Sequence, residues 1–172
     1  MKYTLRAEPI EFVQTAPRRR AWSADLQASP KQVFAALTDD PATWRGWFPG
    51  LTGAHWLAEA PDAAEGAPAH GVGARREIRL VKPVVFHETI MAWEEPSRWA
   101  YRVDTATVPM ANALIEEWTI AERGTGSRVT WTFACDPKAV ISLTLRFSPW
   151  FMGNTFRRAM KNLDRKLAPI AA

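Results

Sequence analysis

The sequence predicts an α+β domain in which a curved antiparallel sheet wraps around one long C-terminal helix. Three observations carry that expectation. A short helical stretch, residues 29–50, follows a single strand-like segment; residues 73–135 then read as strands joined by short connectors; and helical spacing returns only near the C-terminus. Connectors this short join antiparallel neighbours, because a parallel pairing needs a crossover of a dozen or more residues. A sheet curled over one helix tends to enclose an apolar cavity between the two, and that cavity is where function is expected.

Residues 1–17 hold Pro9 and Pro17 and show no sustained period, so they read as an extension or lead-in. Residues 20–28 alternate, with Ala24, Leu26 and Ala28 on one side and Asp25 and Gln27 on the other, the pattern of a half-buried strand. Ser29 is placed to cap a helix and Pro30 to occupy its first position, after which Val33, Phe34 and Leu37 recur at helical spacing. Asp39, Asp40 and Pro41 stop that helix and start a second short turn through Trp44 and Trp47, closed by Pro49 and Gly50. A strand is expected at 51–58, then a loop at 59–71 rich in Ala, Pro, Gly and acids. Further strands are expected at 73–81, 84–93, 98–104, 113–122 and 128–135. From Asp136-Pro137 the spacing turns helical, through Val140, Leu143 and Phe147 and then Met152, Phe156, Met160, Leu163 and Leu167. Ser148-Pro149 predicts a kink or a two-piece helix, since proline removes a helical N–H and restricts the residue before it. Pro169 is expected to end the helix.

At 172 residues the chain fits a single domain, 1–172. Hydrophobic residues at 47% and charged residues at 23% exclude a disordered chain. Nine tryptophans favour large aromatic walls over simple aliphatic packing. The single Cys135 rules out an internal disulfide, no stretch reaches the roughly 20 apolar residues of a membrane span, and the first residues lack a signal-peptide core. The expectation is a cytoplasmic protein with no stable membrane insertion. The net charge of +4 is local to the last helix, where Arg157, Arg158, Lys161, Arg165 and Lys166 face one acid, Asp164. A solvated helix face explains this better than nucleic-acid binding.

The segments VFAALTDDPATWRGWFPG, GVGARREIRL, ETIMAWEEPSRWAYRV and EEWTIAERGTGSRVTWTF, followed by a basic C-terminal helix, resemble the START-like (SRPBCC, helix-grip) superfamily. They are most similar to its polyketide cyclase/dehydrase and lipid-transport-like branch, over residues 19–167. The resemblance implies a seven-stranded sheet curled over a long C-terminal helix, with two small helices at one end of a hydrophobic cavity. Members include cyclases, lipid carriers, hormone receptors and chaperone activators, so it implies a fold more sharply than an activity.

Strand alternation nominates the chemistry. Leu114, Trp118 and Ile120 share a face with Glu116, and the matching face of the next strand holds Val129, Trp131 and Phe133. A carboxylate among such side chains has its pKa raised, which suits a general acid or base near neutral pH; the plainer alternative is a Glu116 at the cavity mouth or paired with an inward arginine. Arg76 is the natural partner, on one face with Ile78 and Leu80, and is read either as half of an ion pair or as a contact for a ligand oxygen. Trp99 and Tyr101 share a face with Val103 and offer rings to stack on a ligand, or core packing, with one hydroxyl to donate. On residues 84–93 either Val85, His87, Thr89, Met91 and Trp93 or Phe86, Glu88, Ile90 and Ala92 face inward, and the pattern does not choose. His55, His70 and His87 have no metal-binding spacing, there is no nucleophile elbow or phosphate loop, and no cofactor is expected. Trp44, Trp47 and Phe48 form either a gate or a plug, and Met152, Phe156, Met160 and Leu163 are expected to floor the cavity.

Three functions follow. The first is binding of a small apolar or aromatic ligand, lipid or polyketide-like in view of the resemblance, against Trp47, Ile78, Leu80, Trp99, Leu114, Trp118, Trp131, Phe133, Met152, Phe156 and Met160. The second is a cyclase or dehydratase in which Glu116, with Tyr101 or Arg76, moves protons. The third is an interaction module that uses its outer surface. Oligomeric state is not encoded in any of these features.

Overall fold

A computed structural model describes residues 1–57, 70–81, 84–138 and 149–168. A two-residue strand Tyr3–Thr4 (β1) and a helical turn Phe12–Thr15 (α1) precede strand Arg18–Leu26 (β2). Helix Pro30–Thr38 (α2) and a 3-10 turn, Pro41–Gly46, follow. Strands Leu51–Trp56 (β3), Arg75–Leu80 (β4), Val85–Glu94 (β5), Arg98–Ala106 (β6), Ala111–Arg123 (β7) and Gly126–Pro137 (β8) lead to the helix Pro149–Leu167 (α3). Seven strands run in the antiparallel order β2-β8-β7-β6-β5-β4-β3, and β1 joins beside β6. This is the helix-grip α+β architecture, with two short helical segments after β2.

Local chemistry sets the boundaries. Ser29 accepts the Gln32 backbone N–H while the Gln32 side chain accepts that of Ser29, a reciprocal cap, and Pro30 takes the first position where no N–H is needed. Asp40 caps the 3-10 turn by accepting from the Ala42 N–H at 2.9 Å. Two indole N–H groups then pin this region, Trp44 on the Leu37 carbonyl and Trp56 on the Asp39 carbonyl.

Two expectations need correction. Residues 1–17 are not an irregular lead-in throughout. β1 pairs Tyr3 with Ala106 and Thr4 with Thr105, entering where β6 and β7 part company after the Arg102–Ile115 pair. Phe12 and Val13 of α1 pack on Ala113 and Ile115, the outward face of β7. Asp136-Pro137 does not begin a helix either; both residues end β8, opposite Ala113 and Ala111. A proline is tolerated at a strand terminus because the ladder asks no N–H of it there. The loop at 59–69 and the helical run through Val140, Leu143 and Phe147 to Ser148 lie outside the described residues, as does Pro169.

The concave face is packed with aromatics. Trp118 stacks on Trp131 with centroids 5.6 Å apart, Trp131 on Phe156 of α3 at 6.1 Å, and Trp22 of β2 leans on Trp131 at 5.3 Å. The buried stripe of α3 (Phe156, Ala159, Met160, Leu163) meets this stack, and its five basic residues all face solvent. Asp164 fixes the helix to the chain after β2 by accepting from the Gln27 and Ala28 N–H groups at 2.8 and 3.2 Å.

At the β7–β8 hairpin the backbone of Gly126 approaches the turn into α2 so closely that an added Cβ would stand 2.1 Å from the Leu26 carbonyl oxygen. Backbone, not a flexible side chain, is the obstacle. Gly126→Ala is therefore expected to cost roughly 1–3 kcal/mol of stability, read as a lowered urea midpoint with little change in slope; an unchanged midpoint would contradict the close approach.

Candidate functional site

A cavity of about 400 Å³ lies between the sheet and the N-terminal end of α3. The size falls in the range of small-molecule sites. Its position follows from the aromatic stack: Trp118, Trp131 and Phe156 fill the interior along the middle of α3, and the cavity lies toward Met152 and Thr155. The wall is apolar, from residues such as Phe48, Ile78, Phe86, Val108 and Phe133. Four ionisable side chains interrupt it: Arg76, Glu88, Tyr101 and Glu116, one from each of four consecutive strands β4 to β7.

These four form one cluster. Arg76, 1% exposed, donates from Nε to Glu88 Oε2 at 2.6 Å, and the two residues are direct partners across β4 and β5. The Arg76 guanidinium carbon also lies 4.8, 4.5 and 4.4 Å from the ring centroids of Trp44, Trp99 and Tyr101. Its Nη1 is buried with no hydrogen-bond acceptor among the described residues, and the surrounding ring faces supply the negative potential it otherwise lacks. Tyr101 donates from its hydroxyl to Glu116 Oε2 at 2.7 Å and accepts from Trp118 Nε1 at 3.4 Å. Trp131 Nε1 donates to the same Glu116 oxygen at 2.8 Å.

Burial dominates the titration of these groups. Loss of water around Glu88 raises its pKa to about 7 even though Arg76 pulls the other way, with the nearby negative charge of Glu116 adding to the rise. Glu116 is raised too, by burial first, against the hydrogen bonds from Tyr101 and Trp131 and the charge of Arg76. Tyr101 is raised well above the ordinary phenol value by burial and by the two carboxylates. The cluster thus holds one permanent cation and two carboxyl groups that resist being ionised together.

The three residues nominated for chemistry, Glu116, Tyr101 and Arg76, all border the cavity, and Glu116 and Tyr101 are in direct contact. Of the nominated ligand contacts, Ile78, Leu80, Trp131, Phe133 and Met152 border it. Trp47, Trp99, Leu114, Trp118, Phe156 and Met160 do not; all are at most 2% exposed and belong to the core behind the wall. Inward orientation is necessary for lining a cavity but not sufficient, since the large indoles consume the space between the middle of the sheet and α3. Of the expected floor, only Met152 remains. Trp44 and Phe48 contribute to the wall whereas Trp47 is locked inside, packed on Trp44 at 4.7 Å with its carbonyl accepting from Asn162, the arrangement of a plug.

Glu88 is the residue sequence reasoning left open. Phe86, Glu88, Ile90 and Ala92 are the buried set of β5, and His87 lies on the other face, 2.9 Å from Glu77. An inward arginine on β4 in need of a carboxylate was the available signal. Cys135 is buried beneath the sheet face, and its thiol is pushed up to about 11 by desolvation, which makes it a poor nucleophile.

A family model described as polyketide cyclase / dehydrase and lipid transport matches residues 21–168. An uncharacterized protein of Mycobacterium tuberculosis is 26% identical over 156 residues, 91% of this chain and 88% of that protein. Among solved structures, a START superfamily protein from Mycobacterium smegmatis superposes with a TM-score of 0.68 at 11% identity, covering 87% of this chain and 99% of the other. The major latex-like protein 151 of Panax ginseng superposes at 0.66 with 12% identity, covering 88% and 98%. At these identities the structural matches establish the fold alone.

The raised Glu88 has a consequence for stability. An acid whose folded-state pKa lies above its unfolded value binds more protons when folded, so its contribution is complete below 4.5 and is lost as pH rises toward about 7. The unfolding free energy of the wild type relative to Glu88→Gln is therefore expected to fall across that window, measured by chemical denaturation at several pH values. A difference that stays level or grows with pH would contradict the buried pair described here.

Proposed function

We propose that this chain, which belongs to the polyketide cyclase / dehydrase and lipid transport family, binds a small apolar or aromatic molecule in the cavity between its sheet and α3. The observation that carries this is the form of the cavity: about 400 Å³, walled by aliphatic and aromatic side chains, with its ionisable groups gathered in one cluster. Burial of an apolar body supplies affinity and the few polar groups fix its orientation. Met110 and Met152 on the wall suit irregular shapes. The chaperone-activator type of function, which would go with a small closed interior, has less support. With a lone buried cysteine and no helix among the described residues long and apolar enough to cross a membrane, we place the protein in the cytoplasm.

A second reading, proton transfer to a polyketide-like substrate, rests on one specific observation. The Glu116 carboxyl borders the cavity, has its pKa raised by burial, and is oriented by Tyr101 and Trp131 through a single oxygen. Both hydrogen bonds go to Oε2, which leaves Oε1 as the atom to give or take a proton. Arg76 makes no hydrogen bond to this pair; it is committed to Glu88 and to the rings around it. That geometry fits a positioned acid or base more than an oxyanion hole.

Native mass spectrometry of protein purified from its own host is expected to show a co-purified apolar compound, and Val108→Trp, which fills the cavity from its wall, to lose it. Equal occupancy in both proteins would remove the cavity from consideration. If the bound compound is turned over, Glu116→Gln is expected to lower the rate by roughly 10²–10⁴; an unchanged rate would leave carriage alone.

A further inference from the structure

The charges inside the cavity do not balance. Among the described residues Arg76 is the one cation that borders it, and it is already engaged by Glu88 at 2.6 Å and by three aromatic faces. Glu116 has only neutral donors, the Tyr101 hydroxyl and the Trp131 indole, both on Oε2. Fully ionised, the cluster would carry two negative charges against one positive, deep in an apolar wall where an uncompensated charge is costly. A proton on one of the two carboxyls fills the deficit when the cavity is empty, in keeping with the upward direction of both acids.

A ligand can fill it instead. From the binding reading above, on which this inference rests, we propose that the cavity selects apolar molecules bearing an amine, bound as the ammonium ion against Glu116. The ammonium would donate to Oε1 and lie near the ring of Phe133, a wall residue and the direct cross-strand partner of Glu116; Trp131, also on the wall, is tied to that carboxylate by its own N–H. An aromatic face next to a carboxylate is a favourable setting for a desolvated cation. With the ammonium in place the cluster holds two cations and two anions. Binding therefore displaces the shared proton to solvent. A carboxylate head group does the reverse: it would add a third acid to the same space and could enter only by bringing a further proton with it.

The groups that face Glu116 and Glu88 are Arg76 from β4, Tyr101 from β6 and each other; Asp104 of β6 acts on Glu88 from farther away. Among the described residues, none supplies a second positive charge. The basic residues of α3 are exposed, none of them borders the cavity, and they leave the balance unchanged.

Isothermal titration calorimetry of the wild-type protein at neutral pH with decylamine, decanol and decanoate tests this, because the three share an alkyl chain and differ in the head group. Decylamine is expected to bind about tenfold more tightly than decanol, with decanoate weakest. Repeating the titration in two buffers of different protonation heat should show about one proton released per decylamine bound and none for decanol. In Glu116→Gln the ratio of amine to alcohol affinity should fall to near one. Equal binding of amine and alcohol, tighter binding of decanoate, or amine binding without proton release overturns the head-group assignment while leaving the cavity as a binding site. Failure of all three compounds to bind overturns the cavity reading itself. The wild-type comparison needs no variant, so a poorly folded Glu116→Gln would not rescue the proposal.

Discussion

A guanidinium buried to 1% exposure is the constraint around which the interior is organised. Taking Arg76 out of water costs several kcal/mol unless a carboxylate and further contacts replace its hydration. Glu88 provides the carboxylate, which ties the register of β5 to that of β4. Trp44, Trp99 and Tyr101 provide ring faces, and Trp44 comes from the 3-10 turn, so the same charge also gives the segment after α2 a reason to close over the end of the sheet. Replacing the ion pair by hydrocarbon of the same shape is often neutral or stabilising in proteins. Its presence on a cavity wall therefore speaks for a role at the site more than for a contribution to folding.

The tryptophans decide where the cavity can be. A sheet that curls over a helix leaves a long trough, and here the trough is filled along most of its length by the Trp118–Trp131–Phe156 stack. Indoles are rigid and their stacking leaves few gaps, so the remaining volume is gathered at the end of α3 that carries Met152 and Thr155. Trp131 belongs to both regions. One part of it packs in the core, and its N–H holds Glu116, so the position of the acid in the cavity is inherited from the packing of the core.

Alternation was enough to read the inward faces of β4, β6, β7 and β8, and with them Arg76, Tyr101, Glu116 and Trp131. It failed on β5, where both alternating sets carry apolar side chains and a titratable group. Phe86 and Ile90 compete with Val85, Met91 and Trp93, and Trp93 itself packs against the core through Phe34. The register with β4 settles the choice, and that pairing is a tertiary fact. The division between wall and core was illegible for a related reason: Leu114, Trp118 and Met160 point inward as Phe133 and Met152 do, but which inward side chain meets empty space depends on the volume of its neighbours across the trough. The N-terminal residues were misread because β1 is only two residues long, too short for a period, and exists through its pairing with β6.

Carriage and catalysis place different demands on Glu116. A general acid must keep its proton until the substrate is in place, which burial in the apolar wall favours by holding the carboxyl above its ordinary range. A partner for an ammonium must give that proton up, and the same crowding of negative charge makes the exchange favourable once a second cation arrives. Both behaviours come from one deficit of positive charge, and the ligand's head group determines which is expressed. A neutral substrate leaves the proton on the cluster and available for transfer along Oε1, whereas an amine discharges it before any chemistry begins. On the proposals above, the site would serve as a proton donor only for ligands that arrive without a charge of their own, and for ammonium ligands it would be a binding site alone.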